Sequence, residues 1–298
     1  MIDLHAHTNA SDGRLSLEEL VAQAENAGLK AIAITDHDTI QNAKRIKEIK
    51  ISKSNLGIEL IPGIEISVYD YELNYVELHI LGLFIDTENQ KLNSKLKDLE
   101  KQRIDQKKAT IQKLNELGYG ITFEEIVAQA KGSVSRVHIA RVLMEKYPNK
   151  FKSVPDAFFK LLDKGKPAFV SRKVSFKLKD TIDLIHEARG LAILCHPGFF
   201  DGDKNKLFQD FKKLGGDGVE SVYDYVANAA SRKVNSGDNE KFAKEFLKIA
   251  KEMSFLESGG SDFHGPNKGS KLGELDVPDK FLEKMKEHMK ENMEEKKK

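Results

Sequence analysis

In the stretch DLHAHTNASDG, residues 3–13, His5 and His7 are separated by one residue, and Asp12 follows ahead of the first helical pattern. Residues two apart on a strand point to the same side, so these two imidazoles can converge on one cation. Four more histidines stand at polar–apolar junctions: His37 in TDHD, His79 in ELHILG, His196 in CHPG and His264 in SDFHG. Glu65 in PGIEIS and Asp262 add carboxylates. Taken singly, each histidine is more often an ordinary polar residue or a satisfied core histidine than a ligand. Six of the nine histidines at such junctions, each near an acidic residue or a Gly/Pro turn, point instead to a metal centre. Imidazole with carboxylate and no thiolate favours zinc, manganese or iron over a structural cysteine site. Nine ligands exceed what one or two ions take from a protein when positions must stay open for water and substrate, so three ions are expected.

The elements that must carry these residues follow a repeating pattern. Ser16 and Glu19 form a capping box for an amphipathic helix running to about Asn26, and Gly28 stops it. KAIAITDHD, IELIPGIEIS, YVELHILGLFI, GLAILCHPG, GVESVYD and SFLESGGSDFH are short apolar runs with polar or histidine residues at or near their C-terminal ends. Helical patterns fall between several of them, at about 39–50, 178–189, 204–214 and 238–252. Strands alternating with helices predict a parallel sheet, with chemistry at the strand C-termini of a barrel-like α/β core. No glycine-rich dinucleotide or phosphate-loop fingerprint occurs.

The alternation breaks between Glu88 and Val170, where successive helices are predicted, the first with Leu92, Leu96, Leu99, Arg103, Ile111, Leu114 and Leu117 on one stripe. The expected organisation is a barrel core of residues 1–87 and 171–298 with an α-helical insertion domain, 88–170, that binds substrate. The C-terminal DKFLEKMKEHMKENMEEKKK reads as a surface helix fraying into a charged tail.

At 298 residues and 40% hydrophobic, the chain can bury a sizeable core. Its 48 Lys+Arg against 47 Asp+Glu argue against a generally basic nucleic-acid-coating surface, so no DNA-binding surface is expected and phosphate affinity must be local. The one cysteine, Cys195, excludes an internal disulfide and reads as a small apolar residue on a buried strand. With no charged-then-apolar leader and no apolar run of membrane-spanning length, a cytoplasmic protein is expected.

DLHAHTNASDG, AITDHDT, PGIEIS, LHILG, CHPG and GGSDFHG, in this order, resemble the motifs of the polymerase and histidinol phosphatase (PHP) superfamily. The helical insertion carrying SRVHIAR is further similar to its subgroup of nucleoside 3′,5′-bisphosphate phosphatases and 5′→3′ exoribonucleases. The resemblance implies a distorted (β/α)7 TIM-like barrel with a trinuclear centre. Carried over residue by residue, it implies that His5, His7, Glu65 and Asp262 hold one ion. Glu65, bridging, holds a second with His79 and His196, and Asp12, His37 and His264 hold the third. All nine positions have the expected residue type, which argues against a degenerate, non-catalytic form. The expected cofactors are three divalent ions, manganese first, with iron or zinc as alternatives. Asp3, Asp36 and Asp38 stand beside ligands and can orient them or simply cap strand ends.

Three divalent ions, about +6, and three carboxylates leave about +3, a centre that attracts phosphate. The expected nucleophile is a metal-bridging hydroxide held at Glu65, Asp262 and His264. In GSVSRVHIARVL, Ser135 can cap a helix flanked by Arg136 and His138, where a second phosphate can sit; the resemblance gives that pair a phosphate contact, with Val137 where a proline is common. Arg172 in FVSRK is a further clamp candidate. Tyr223 and Tyr225 can stack on a base, though packing is the commoner role. The leading reading is 3′-phosphate release from nucleoside bisphosphates, extending to 5′→3′ trimming of short RNA ends. A histidinol-phosphate-type phosphatase and a non-catalytic metal-stabilised scaffold are the alternatives.

Overall fold

Strand β1 (Ile2–Ala6) and strand β2 (Ala31–Ile34) are buried along their whole length, as strands covered on both faces must be. Between them, α1 (Leu17–Asn26) starts at the Ser16–Glu19 capping box and ends ahead of Gly28, at φ +73°. The computed structural model describes residues 1–52, 56–130, 134–171, 176–229, 232–266 and 268–295. The chain continues through α2 (Gln41–Ser52), β3 (Glu59–Asp70) and β4 (Tyr75–Leu83). After a helical segment come α7 (Leu178–Glu187), β5 (Leu191–Leu194), α8 (Lys204–Lys213), β6 (Gly218–Tyr223), α9 (Asp238–Glu252), β7 (Leu256–Gly260) and α10 (Asp279–Glu295).

The seven strands pair in sequence order. Past the end of β7, Asp262 N–H donates to His5 O (2.9 Å) and His7 N–H to Phe263 O (2.9 Å), bringing the last strand back to the first. Gly260 permits that approach, because a Cβ there would meet the His5 Cβ at 2.4 Å. The result is a distorted, nearly closed (β/α)7 barrel. The sheet is mixed, however, and not parallel throughout: β4 runs antiparallel to both β3 and β5. Only residues 71–74 join β3 to β4, far too few for a crossover, which takes a dozen or more. The reversal brings His79 into register with Ser67. A histidine from mid-strand thereby reaches the same rim as residues beyond the C-terminal ends of the parallel strands.

The barrel interior is filled by Ile2, Leu4, Ala33, Ile61, Leu81 and Ile193, together with Phe281, Leu282 and Met285 from α10. The C-terminal helix therefore buries an apolar stripe against the barrel, more than the sequence pattern of a surface helix suggests. The helical segment consists of α3 (Gln90–Glu116), α4 (Phe123–Gln129), α5 (Arg136–Lys146) and α6 (Val154–Ala157), which continues as a π-turn at Phe158–Leu162. Helix α3 joins two cores: Leu92 and Leu96 pack in the barrel's outer layer, Ile111 and Leu114 in a separate helical cluster with Ile126, Ile139 and Leu143. Leu117, at the end of the predicted stripe, lies past the helix and is 47% exposed. Among the described residues no helix is long and apolar enough to cross a membrane.

Candidate metal centre

All nine residues predicted as ligands meet at one rim of the barrel. His5 and His7 extend from β1 with their Nε2 atoms 3.1 Å apart, and both face Glu65 Oε2 (3.4 and 3.2 Å) and Asp262 Oδ1 (3.3 and 3.0 Å). Glu65 Oε1 is approached by His79 Nδ1 (2.8 Å) and His196 Nε2 (3.1 Å), and its Oε2 by His37 Nδ1 (2.9 Å). Asp12 Oδ1 lies 3.1 Å from His264 Nε2 and 4.0 Å from His37 Nε2. Among the described residues, donor atoms gather into four groups: His5, His7, Glu65, Asp262; His7, Asp12, His37, His264; His37, Glu65, His79; and Glu65, Cys195, His196. The first is the set the resemblance implies for one ion. The second is the implied Asp12–His37–His264 set joined by His7. The implied Glu65–His79–His196 set divides in two about Glu65 Oε1.

The donor set fits cations. Two imidazole nitrogens facing each other at 3.1 Å repel unless a proton or an ion lies between them. Asp12 Oδ1, Glu65 Oε2, His37 Nδ1 and His79 Nδ1 are buried without a hydrogen bond despite these short approaches, a costly state for polar atoms that a coordinated ion relieves. Burial opposes charge on His7, yet the Asp262 and Glu65 carboxylates outweigh it and push its pKa up to about 10. Burial likewise opposes ionisation of Glu65 and Asp262, but the surrounding histidines hold both well below the usual carboxylate range. Between these carboxylates the polypeptide alone favours a proton on His5 and His7, which a metal ion can replace.

Several side chains aim the cluster without joining it. Glu220, buried on β6, accepts from His5 Nδ1 (3.0 Å) and from the His196 backbone N–H (2.7 Å), leaving His5 Nε2 for the pocket. The Tyr223 hydroxyl donates to Asp262 Oδ2 (2.7 Å), which leaves Oδ1 free, and His264 Nδ1 is turned to the Asp262 carbonyl (2.7 Å). Asp3, Asp36 and Asp38 tie loops together. Asp3 accepts from the His5 and Ser261 N–H groups (3.2 and 3.0 Å), Asp36 from Thr8 and Ser11, and Asp38 from Ser67 and Arg103. Asp38, His196 and Asp262 all have positive φ (53°, 32° and 54°), a strained conformation held by these bonds at the turns where the chain leaves the barrel. Cys195, read as an apolar filler, sits beneath the cluster with its thiol 3.6 Å from Glu65 Oε1, and burial pushes that thiol's pKa well up.

Of the residues predicted to hold substrate phosphate, Arg136 and His138 are both engaged within the protein. Arg136 pairs with Glu77 Oε1 on β4 (2.6 Å) and lies over the Phe158 ring, so its guanidinium is engaged where the helical segment meets the barrel. His138 is buried at the start of α5 with Nδ1 accepting the Ser135 N–H (3.0 Å), and burial with nearby Arg141 pushes its pKa down to about 4. Arg172 lies outside the described residues. Tyr223 and Tyr225 are buried, 3% and 1% exposed, and pack beneath the site instead of offering a ring to a base.

Residues 3–169 match the PHP domain family. The chain belongs to this family. The PHP domain chain is 34% identical over 284 residues to a 5′-3′ exoribonuclease of Haemophilus influenzae, covering 94% of this chain and 96% of that one. It is 30% identical to a 3′,5′-nucleoside bisphosphate phosphatase of Chromobacterium violaceum, over 91% and 89% of the two chains. A Bifidobacterium adolescentis protein named for a proposed metal-dependent phosphoesterase activity shares the fold at a TM-score of 0.80, with 25% identity over 95% of this chain and 94% of that one. The sequence motifs named the nine residues that meet at the rim of this PHP domain chain but not Glu220. Its signal was an acidic residue inside the apolar run GVESV, a position that demands a buried partner.

Proposed function

We propose that the chain is a metal-dependent phosphoesterase that releases the 3′-phosphate of nucleoside 3′,5′-bisphosphates and trims short 5′-phosphorylated RNA in the 5′→3′ direction. The observation that carries this reading is the convergence of nine imidazole and carboxylate side chains, several with orphaned buried donor atoms, on one open rim. The relatives named as exoribonuclease and bisphosphate phosphatase support it along nearly the full chain.

In this reading His5, His7, Glu65 and Asp262 hold one divalent ion, Glu65 with His79 and His196 a second, and Asp12, His37 and His264 a third; manganese is the first choice, iron or zinc the alternatives. When bound, the ions supply positive charge to a phosphoryl group and lower the pKa of water towards neutrality. Glu65, Asp262 and His264 border the position of the attacking oxygen. Glu220 and Tyr223 keep His5 and Asp262 aimed at the pocket. His138, neutral at pH 7 with Nδ1 occupied by Ser135, offers its Nε2 proton to a phosphate oxygen without needing a charge of its own. Residues 88–170 serve as the substrate-binding domain, and Arg172 is the further cation this reading assigns to substrate. Arg136, engaged by Glu77, orients α5 and leaves phosphate contact to His138.

The test compares phosphate release, with manganese present, from adenosine 3′,5′-bisphosphate, adenosine 5′-monophosphate, histidinol phosphate and a 5′-phosphorylated oligoribonucleotide. Turnover of the bisphosphate and the oligonucleotide is expected. If both are inert while histidinol phosphate is hydrolysed, the reading is wrong. Folded, metal-loaded protein that turns over none of the four would favour a scaffold.

A further inference from the structure

Cys195 follows the last residue of β5, is buried, and directly precedes the candidate ligand His196. Successive side chains on an extended strand point to opposite faces. Here the chain turns instead: His196 takes a left-handed conformation, φ 32° and ψ 53°, and its backbone N–H is held by Glu220 (2.7 Å). Two consecutive residues thereby face the same carboxylate. Cys195 Sγ lies 3.6 Å from Glu65 Oε1, and His196 Nε2 lies 3.1 Å from it.

Among the described residues Glu65, Cys195 and His196 form a donor group of their own, whereas His79 groups with His37. Glu65 Oε1 thus faces three side-chain donors, His79 Nδ1 at 2.8 Å, His196 Nε2 at 3.1 Å and Cys195 Sγ at 3.6 Å, one more than its lone pairs can accept from. The Glu65 side chain is wholly buried, and its other oxygen, Oε2, carries no hydrogen bond, so the polypeptide alone does not satisfy this carboxylate. A neutral thiol offers it only a weak hydrogen bond. A thiolate sulfur and a carboxylate oxygen bound to one tetrahedral ion, at about 2.3 and 2.1 Å, lie about 3.6 Å apart. That is the separation of Cys195 Sγ and Glu65 Oε1.

We propose that Cys195 is a sulfur ligand which, with Glu65 and His196, makes one cation position at the rim a thiolate–imidazole–carboxylate site, selective for a thiophilic divalent ion, zinc or iron, over manganese. On binding, the S–H bond breaks, the proton leaves to solvent water, and the sulfur donates an electron pair to the ion, which stays divalent. The inference rests on the metal dependence of the phosphoesterase reading and deepens it: manganese, the first choice for the centre as a whole, gives way at this position to a softer ion. The other donor groups contain imidazole and carboxylate alone, so the preference is confined to one position.

Cobalt(II) reads the site without turnover. A thiolate bound to cobalt gives an intense near-ultraviolet charge-transfer band that imidazole and carboxylate do not. The chain has one cysteine, so such a band in the full, metal-free protein, titrated with cobalt under anaerobic conditions with a phosphine reductant, reports Cys195. The band should appear in the wild-type protein and be absent from Cys195→Ser and Cys195→Ala. In competition titrations Cys195→Ser should lose at least ~10-fold in zinc affinity at one position, the lower end of the loss typical even for groups that only support a ligand, while manganese affinity moves less. The wild-type spectrum decides on its own, so the outcome does not depend on either variant folding. Wild-type protein that binds cobalt without the band overturns the sulfur site; if it still hydrolyses adenosine 3′,5′-bisphosphate with manganese, the phosphoesterase reading stands. A band in protein that hydrolyses no phosphate ester with any of these metals leaves the sulfur site standing and removes the reading of function. Failure to bind cobalt at all sinks both.

Discussion

Glu220 carries no ligand atom, yet it determines which nitrogen of His5 is available. Its two oxygens satisfy His5 Nδ1 and the His196 backbone, and both contacts vanish in Glu220→Ala. Carboxylates that orient a ligand imidazole typically account for ~10–100-fold in metal affinity. We expect Glu220→Ala to retain fewer ions after dialysis against a mild chelator, with Glu220→Gln less affected; unchanged stoichiometry in Glu220→Ala would count against an orienting role. His138 supplies a pH test. Its pKa is depressed by burial to about 4, so the unfolded chain takes up a proton at this residue near pH 6.5 while the folded chain does so only near pH 4. Its contribution is therefore intact above pH 7, falls as pH drops from about 6.5 to 4, and amounts at most to about 3 kcal/mol. Denaturant unfolding of wild-type and His138→Gln protein across that range should show a steeper loss in the wild type; parallel curves would mean that the ring titrates normally.

Helix α3 does more than connect two cores. Arg103 projects from it into the barrel rim, bonding the Asp38 carboxylate and the His37 carbonyl (3.3 Å), so an element of the helical segment grips the loop that carries the candidate ligand His37. Both side chains are nearly fully buried, at 7% and 0% exposure. Removing one partner of such a pair strands the other's charge and costs about 3–5 kcal/mol, whereas neutralising both costs less. Arg103→Met should accordingly destabilise the protein strongly, and Arg103→Met with Asp38→Asn should recover part of the loss. A double-mutant cycle from urea unfolding should give a coupling above ~1 kcal/mol; additive losses would rule out a direct link. The reversed strand β4 is the second element with functional weight. The hairpin forced by the short 71–74 link turns His79 to the rim that Glu65 occupies.

The candidate ligand atoms come from β1, β3, β4 and the loops after β1, β2, β5 and β7, so ions bound at the rim would clamp most of the barrel at once. Species that bind only the folded state raise its stability by mass action. Stripping the protein with a chelator should lower Tm by several degrees, manganese should restore it, and Asp262→Asn should blunt the restoration. An identical Tm in both states would mean that the rim does not hold ions tightly.

Much of this was written locally in the chain. His5 and His7 share a strand face because strands repeat every two residues, the Ser16–Glu19 cap needs only one turn of backbone, and each candidate ligand lies in a short motif recognisable by residue type. The strand–helix alternation likewise announced an α/β barrel, and the helices between Glu88 and Val170 announced the interruption. What local pattern could not decide was pairing at long range. The direction of β4, the hold of Glu77 on Arg136, the Glu220–His5 contact across 215 residues and the meeting of Arg14 with Arg141 all join segments far apart in sequence. Such contacts leave no periodic trace, because they arise only when the folded barrel brings separate segments within hydrogen-bond or Coulombic reach and removes the water that would otherwise satisfy or screen them.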